Sequence, residues 1–204
     1  MRLLPGPGRS LLAGALLLAA AGAGAQTLQI APFAGYQFGG SVLSPVLERE
    51  YSFKTGLAWG GTLDVGTGGS WRVELLYSRQ ETKLRDPAGT PPGFDVNVER
   101  YLLGIQEETG EGSVRYFGTL LVGATRFVPA SGVGDGDTRF TAGVGLGVKS
   151  FFSRNVGLRL EVRGFYTVVE KGRDIFCTSG ECLFRYSGSG IWQGDATGGL
   201  IFAF

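Results

Sequence analysis

The feature that most constrains this chain is an alternation of period two that recurs along most of its length. In residues 155–169, NVGLRLEVRGFYTVV, one face carries Val156, Leu158, Leu160, Val162, Tyr166 and Val168. The other face carries Arg159, Glu161, Arg163 and Thr167. Successive side chains of a strand point to opposite faces, so this stretch reads as a strand with one oily and one charged face.

Other segments repeat the pattern. Residues 139–149 set Phe140, Ala142, Val144, Leu146 and Val148 against Gly143, Gly145 and Gly147, flanked by Arg139 and Lys149. Residues 70–80 set Trp71, Val73, Leu75 and Tyr77 against Arg72, Glu74, Ser78 and Gln80. Residues 55–65 set Leu57, Trp59, Leu63 and Val65 against Gly56, Ala58, Gly60, Thr62 and Asp64. The last segment sets Trp192, Leu200, Phe202 and Phe204 against Gln193, Asp195 and Thr197. Segments near 27–38, 97–107 and 113–127 are less regular, because the adjacent Glu99 and Arg100 cannot both point inward.

Two architectures accept such strands. A soluble sandwich buries the apolar faces in its core, whereas a membrane barrel turns them to lipid and encloses the charges. The connections favour the barrel. They alternate between tight ones, GTGGS (66–70), ETGEG (108–112) and FSRN (152–155), and long ones at 41–53, 83–96, 129–138 and 171–190. Short periplasmic turns opposite long outer loops are the asymmetry of outer-membrane barrels. Aromatic residues cluster at segment ends as two interfacial girdles: Trp71, Tyr116, Phe151, Phe152 and Phe204 at one rim, and Tyr36, Phe38, Tyr77, Tyr101, Phe127, Phe140, Tyr166 and Trp192 at the other. The 36 glycines, without a three-residue repeat, suit the bends and close approaches of a small barrel rather than collagen. The expected fold is therefore all-β, an eight-stranded antiparallel up-and-down transmembrane β-barrel.

The first residues set the compartment. Arg2 and Arg9 precede an apolar run from Leu11 to about Ala21, then Ala23-Gly24-Ala25 stands ahead of Gln26. That order is a secretory signal peptide, and the run is shorter than the roughly 20 residues of a spanning helix. The expected organisation is a signal peptide over 1–25, cleaved near Ala25, and a barrel domain over 26–204. Removing two of 19 basic residues leaves 17 against 18 acidic ones, a near-neutral balance that argues against nucleic acid or anionic lipid as the defining partner.

Eight strands enclose an interior that side chains just fill. The inward set comprises Asp64, Arg72, Glu74, Arg100, Arg115, Arg159, Glu161, Arg163 and Asp195, and is read as a lumenal ion-pair network. Counting out from GTGGS sets Asp64 opposite Arg72, and the last hairpin sets Arg163 near Asp195. A slip of one residue would turn Arg159 and Arg163 toward lipid at ~2–4 kcal/mol for each mid-membrane Arg, which fixes the facing. In the last long loop Cys177 and Cys182 bracket four residues. Two cysteines so close in an exported chain are expected to form a disulfide worth roughly 2 kcal/mol, stiffening a loop that carries Phe176, Leu183 and Phe184.

Together the leader, the APFAGYQFGG opening, the WRVELLYSRQ strand, the 139–166 hairpin and the terminal TGGLIFAF resemble the small outer-membrane β-barrel proteins of the OmpA/OmpX type. The resemblance implies that Thr197, Gly199, Phe202 and Phe204 form the C-terminal signal read by the barrel-assembly machinery. It also implies insertion among outer-membrane lipids of a Gram-negative bacterium. The chain has no His, whereas the enzymes built on comparable barrels rely on one. The glycines at 143–147 lie inside an alternating strand and precede no helix, so they are not a phosphate loop, and GVGDGD (132–137) offers too few ligands for Ca²⁺. No cofactor or metal is expected. The leading functional expectation is a non-catalytic barrel serving envelope integrity or surface interaction through its loops, with an unidentified extracellular ligand. A narrow passive pore is the alternative, and a lipid-modifying enzyme is the third reading.

Overall fold

The computed structural model describes residues 28–44, 49–85, 94–129, 136–169, 174–178, 181–185 and 190–204. Twelve strands occur among them: β1 (Leu28–Gly39), β2 (Ser41–Ser44), β3 (Arg49–Phe53), β4 (Gly56–Gly68), β5 (Trp71–Arg85), β6 (Phe94–Thr109), β7 (Val114–Pro129), β8 (Asp137–Phe151), β9 (Val156–Val168), β10 (Asp174–Thr178), β11 (Glu181–Arg185) and β12 (Gly190–Ala203). Eight of them form a closed antiparallel ring in the order β1-β4-β5-β6-β7-β8-β9-β12 and back to β1. Closure leaves no edge whose backbone groups would face lipid unpaired. The short β2 and β3 make a hairpin that extends the wall at the outer end of β5, and β10 and β11 make a separate hairpin in the last long connection.

Every barrel strand alternates, including the three whose sequence pattern is less regular. On β9 the residues Arg159, Glu161, Arg163 and Thr167 are buried, while Leu160, Val162 and Val168 are exposed to the surroundings. The same inversion holds on β5, where Arg72, Glu74, Ser78 and Gln80 are buried and Trp71, Val73 and Leu75 exposed. In water such a surface would be untenable; in a bilayer it is the lipid-facing band.

The terminal strand closes the ring. Residues 193–203 of β12 pair with 29–39 of β1, and the Phe204 backbone N–H donates to the Leu28 carbonyl at 2.9 Å. From the β8–β9 turn, Asn155 Nδ2 donates to the Ala203 carbonyl at 2.7 Å and the Ala203 N–H donates back to the Asn155 carbonyl at 2.8 Å. The last residues are thus held on both flanks.

Two expectations need correction. Asp64 lies opposite Glu74, and Arg72 opposite Gly66, because the β4–β5 turn is tighter than the GTGGS stretch suggested. Gly68 and Gly69 both take positive φ (107° and 65°), and the register shifts between Gly66 and Gly68. Phe127 is not a girdle residue. It shares the inward parity of Thr125 on β7, is buried, and stacks on Phe53 with centroids 6.1 Å apart. Its place among the outer aromatics is taken by Trp59, whose ring meets Tyr77 at 6.2 Å, and Tyr77 meets Tyr101 at 5.1 Å.

Candidate functional site in the barrel lumen

Read along the strands from the periplasmic end, the inward side chains change chemistry in layers. On β5 the order is Arg72, Glu74, Leu76, Ser78, Gln80; on β9 it is Arg159, Glu161, Arg163, Phe165, Thr167. A charged layer is followed by an apolar one, then by amides and hydroxyls.

Arg159 is the hub of the charged layer. Its Nη1 donates to Asp64 Oδ2 at 2.9 Å and to Thr62 Oγ1 at 3.2 Å, its Nη2 to Glu74 Oε2 at 2.7 Å, and its Nε to Glu161 Oε2 at 2.9 Å. The planar fork of a guanidinium allows this sharing among carboxylates. Arg163 Nη2 donates to Glu161 at 2.5 Å, and its Nη1 stands 3.5 Å from Asp195 Oδ2. Toward the periplasm, Lys149 Nζ donates to Gln29 Oε1 (2.8 Å), Asp64 Oδ2 (3.2 Å) and Glu108 Oε1 (2.6 Å). Glu108 also meets Arg72 Nε at 2.9 Å and Arg115 Nη1 at 3.4 Å. Aromatic faces roof the cations: Phe117 lies 4.4 Å from the Arg159 guanidinium, and Phe33 lies 4.8 Å from that of Arg163. These contacts engage a residue from each of the eight barrel strands.

The apolar layer consists of Phe33, Leu76, Leu102, Leu121 and Phe165, all buried. Beyond it Arg100 donates to Gln37 Oε1 at 2.7 Å and Gln193 Oε1 at 2.5 Å, its guanidinium 4.6 Å from the Phe165 ring centroid. The hydroxyls of Thr125, Thr141 and Thr167 form a chain with 2.6 Å and 2.9 Å links. A second apolar layer of Phe53, Phe127, Val96, Val98, Val169 and Ile191 lies at the outer mouth.

Of the inward residues expected from sequence, Asp64, Glu74, Arg159, Glu161, Arg163 and Asp195 meet in one network, which Arg72 and Arg115 join through Glu108. Arg100 stands apart, above the apolar layer, where it donates to two neutral amides, Gln37 and Gln193. The expected set omits Lys149 and Glu108. Parity could have found both, since Glu108 shares the face of Arg100 and Gln106.

The expected assembly signal is divided by facing. Thr197 is buried in the lumen, Phe202 and Phe204 face outward, and a Cβ at Gly199 would overlap the Pro32 carbonyl of β1. The β10–β11 register sets Cys177 opposite Cys182. Residues 1–25, and positions 132–135 of GVGDGD, lie outside the described residues.

Comparison with known proteins bears on this geometry. Residues 13–176 match the family described as "Outer membrane protein beta-barrel domain". No curated protein matches. Among solved structures, Neisserial surface protein A is similar at 16% identity with a TM-score of 0.64, over 89% of this chain and 100% of that one. The outer membrane protease OmpT of Escherichia coli is similar at 10% identity with a TM-score of 0.50, over 91% of this chain and 100% of that one. The attachment invasion locus protein Ail of Yersinia pestis, solved with the heparin analogue sucrose octasulfate, aligns at 11% identity with a TM-score of 0.46, over 86% of this chain and 99% of that one.

Proposed function

Because the chain belongs to the outer membrane protein β-barrel family, we propose that it is a non-catalytic, non-conducting barrel of the Gram-negative outer membrane that anchors and displays its outer loops. The observation that carries this reading is the stratified lumen: two apolar layers bracket an amide and hydroxyl layer, and an ion-pair network fills the periplasmic half. An aqueous path would need a continuous polar lining. The name of the similar Neisserial protein, a surface protein, agrees with a role at the cell exterior. The likeness to a protease is one of fold only, and this chain has no His to serve as a general base.

Single-channel recording of the purified protein in planar bilayers tests the reading. Silence is expected; a steady open conductance would establish the narrow pore instead. For the remainder of the proposal, residues 1–25 act as a cleaved export signal, so the first residue found by sequencing the membrane-inserted protein is Gln26. Cys177 and Cys182, opposed across their hairpin, form a disulfide in the oxidising exterior. Alkylation mass spectrometry without reductant checks it, and labelling of either thiol counts against it. The C-terminal residues Thr197, Gly199, Phe202 and Phe204 engage the assembly machinery.

A further inference from the structure

One carboxylate stands on the lipid-facing wall at the periplasmic girdle. Glu107 has the outward parity of β6, is exposed, and is the cross-strand partner of the girdle residue Trp71. On its other side it faces Gly118 of β7, and the next pair toward the periplasm joins Thr109 to the girdle residue Tyr116. The rings of Trp71 and Tyr116 are exposed, at the depth where acyl chains give way to headgroups. A carboxylate flanked by such rings is placed to meet a cation of the bilayer itself.

Glu107 also lies at one end of a cleft of about 1020 Å³ on the outside of the barrel. From there the cleft follows the cross-strand row Ile105, Leu120, Val144, Gly164 and Gly194 to Phe38 at the outer rim. Strands of such a barrel tilt by about 35–45°, so a row that crosses them runs obliquely through the apolar band. Gly118, Gly164 and Gly194 have no side chains and leave a trough beside Leu120, Leu146 and Val162, each more than half exposed. The outward side chains of the cleft, among the described residues, include no Lys or Arg. A second copy docked on this face would therefore bury Glu107 without a cation from the matching cleft, whereas a lipid brings its own.

We infer that the cleft holds a phospholipid of the periplasmic leaflet, with its primary ammonium headgroup on Glu107 and an acyl chain in the trough. The ammonium supplies N–H donors to the carboxylate and to the Thr109 hydroxyl, and its charge sits between the Trp71 and Tyr116 rings. A trimethylammonium headgroup carries the same charge without N–H donors, which sets the direction of selectivity. The inference rests on the membrane setting of the barrel and not on its sealed lumen, so channel recording and lipid retention fail independently.

The test extracts the purified protein from nanodiscs of equal parts phosphatidylethanolamine and phosphatidylcholine with matched acyl chains, and counts retained lipid by native mass spectrometry. The unaltered protein is expected as a monomer that keeps phosphatidylethanolamine in preference to phosphatidylcholine. Glu107→Gln should lower phosphatidylethanolamine retention about fivefold and remove the preference. Gly118→Leu should lower retention of both lipids by filling the trough; a Cβ there comes no closer than 3.6 Å to Leu146, so the wall accommodates it. Glu111→Gln, in the β6–β7 turn, should change little. Equal retention of the two lipids by the unaltered protein, unchanged retention by E107Q or by G118L, or a lipid-free dimer in place of the lipid-bearing monomer would each overturn the inference. Heat-modifiable gel mobility reports whether each variant is folded, and should E107Q not fold, the preference of the unaltered protein and the response of G118L decide.

Discussion

Arg159 concentrates the energetics of the lumen at one residue. Three carboxylates, Asp64, Glu74 and Glu161, converge on it, and Asp64 and Glu74 are direct cross-strand partners that would repel each other without it. Arg159→Leu would leave buried carboxylates short of their cation. The expected cost is about 3–5 kcal/mol, read as a lower urea midpoint and partial loss of the heat-modifiable form. Lys83→Gln removes one partner of an ion pair that is more than half exposed on both sides. Its effect should stay within about 1 kcal/mol. Equal effects of the two substitutions would show that the lumenal network contributes no more than a surface pair. The facing of Arg159 was legible, because a charge on the apolar parity would have met lipid. Its partners were not, since parity gives a face but no height, and the height depends on a turn whose register shifts between Gly66 and Gly68.

At the level of elements, closure of β12 on β1 is where sequence and packing meet. The alternation of TGGLIFAF announces a strand, and its antiparallel partner follows from the need to close the ring. Less visible is why a glycine stands at 199. It lies opposite Phe33, and any side chain there would run into the Pro32 carbonyl and the Phe33 backbone. A role as an assembly signal and a role in packing predict different results for Gly199→Val. If packing alone governs, spontaneous refolding from urea into detergent micelles fails or slows strongly; if only recognition governs, refolding is normal and assembly in cells suffers. Given the overlap with β1, refolding itself is expected to be impaired, as followed by the gel mobility of unboiled samples. The less regular β6 and β7 were harder to read because their outer ends leave the bilayer. There Glu99 and Arg126 take the lipid-facing parity but stand above the girdle, so the rule that charges point inward ceases to hold. The misassignment of Phe127 has the same origin, since an aromatic at a strand end suits either a girdle or a mouth.

For the whole molecule, the lumen balances its own charge. Asp64, Glu74, Glu161 and Asp195, together with the half-buried Glu108, face Arg72, Arg100, Lys149, Arg159 and Arg163, five residues of each sign. Glu108 and the partly exposed Arg115 carry this interior toward the periplasmic mouth. Salt screens exposed charges over about 10 Å at 0.1 M, but it reaches a buried network only if ions can enter. A sealed lumen therefore predicts that stability against urea changes by less than about 1 kcal/mol between dilute and molar salt in a neutral detergent. A hydrated, ion-accessible lumen predicts a marked loss of stability with salt, as screening weakens attractions that offset the desolvation of the lumenal charges. Urea titrations of the unaltered protein at the two ionic strengths distinguish these cases. Using Arg159→Leu as a second background removes the hub, so a salt response in the unaltered protein that disappears in this variant would locate the screening in the lumen and contradict the sealed barrel.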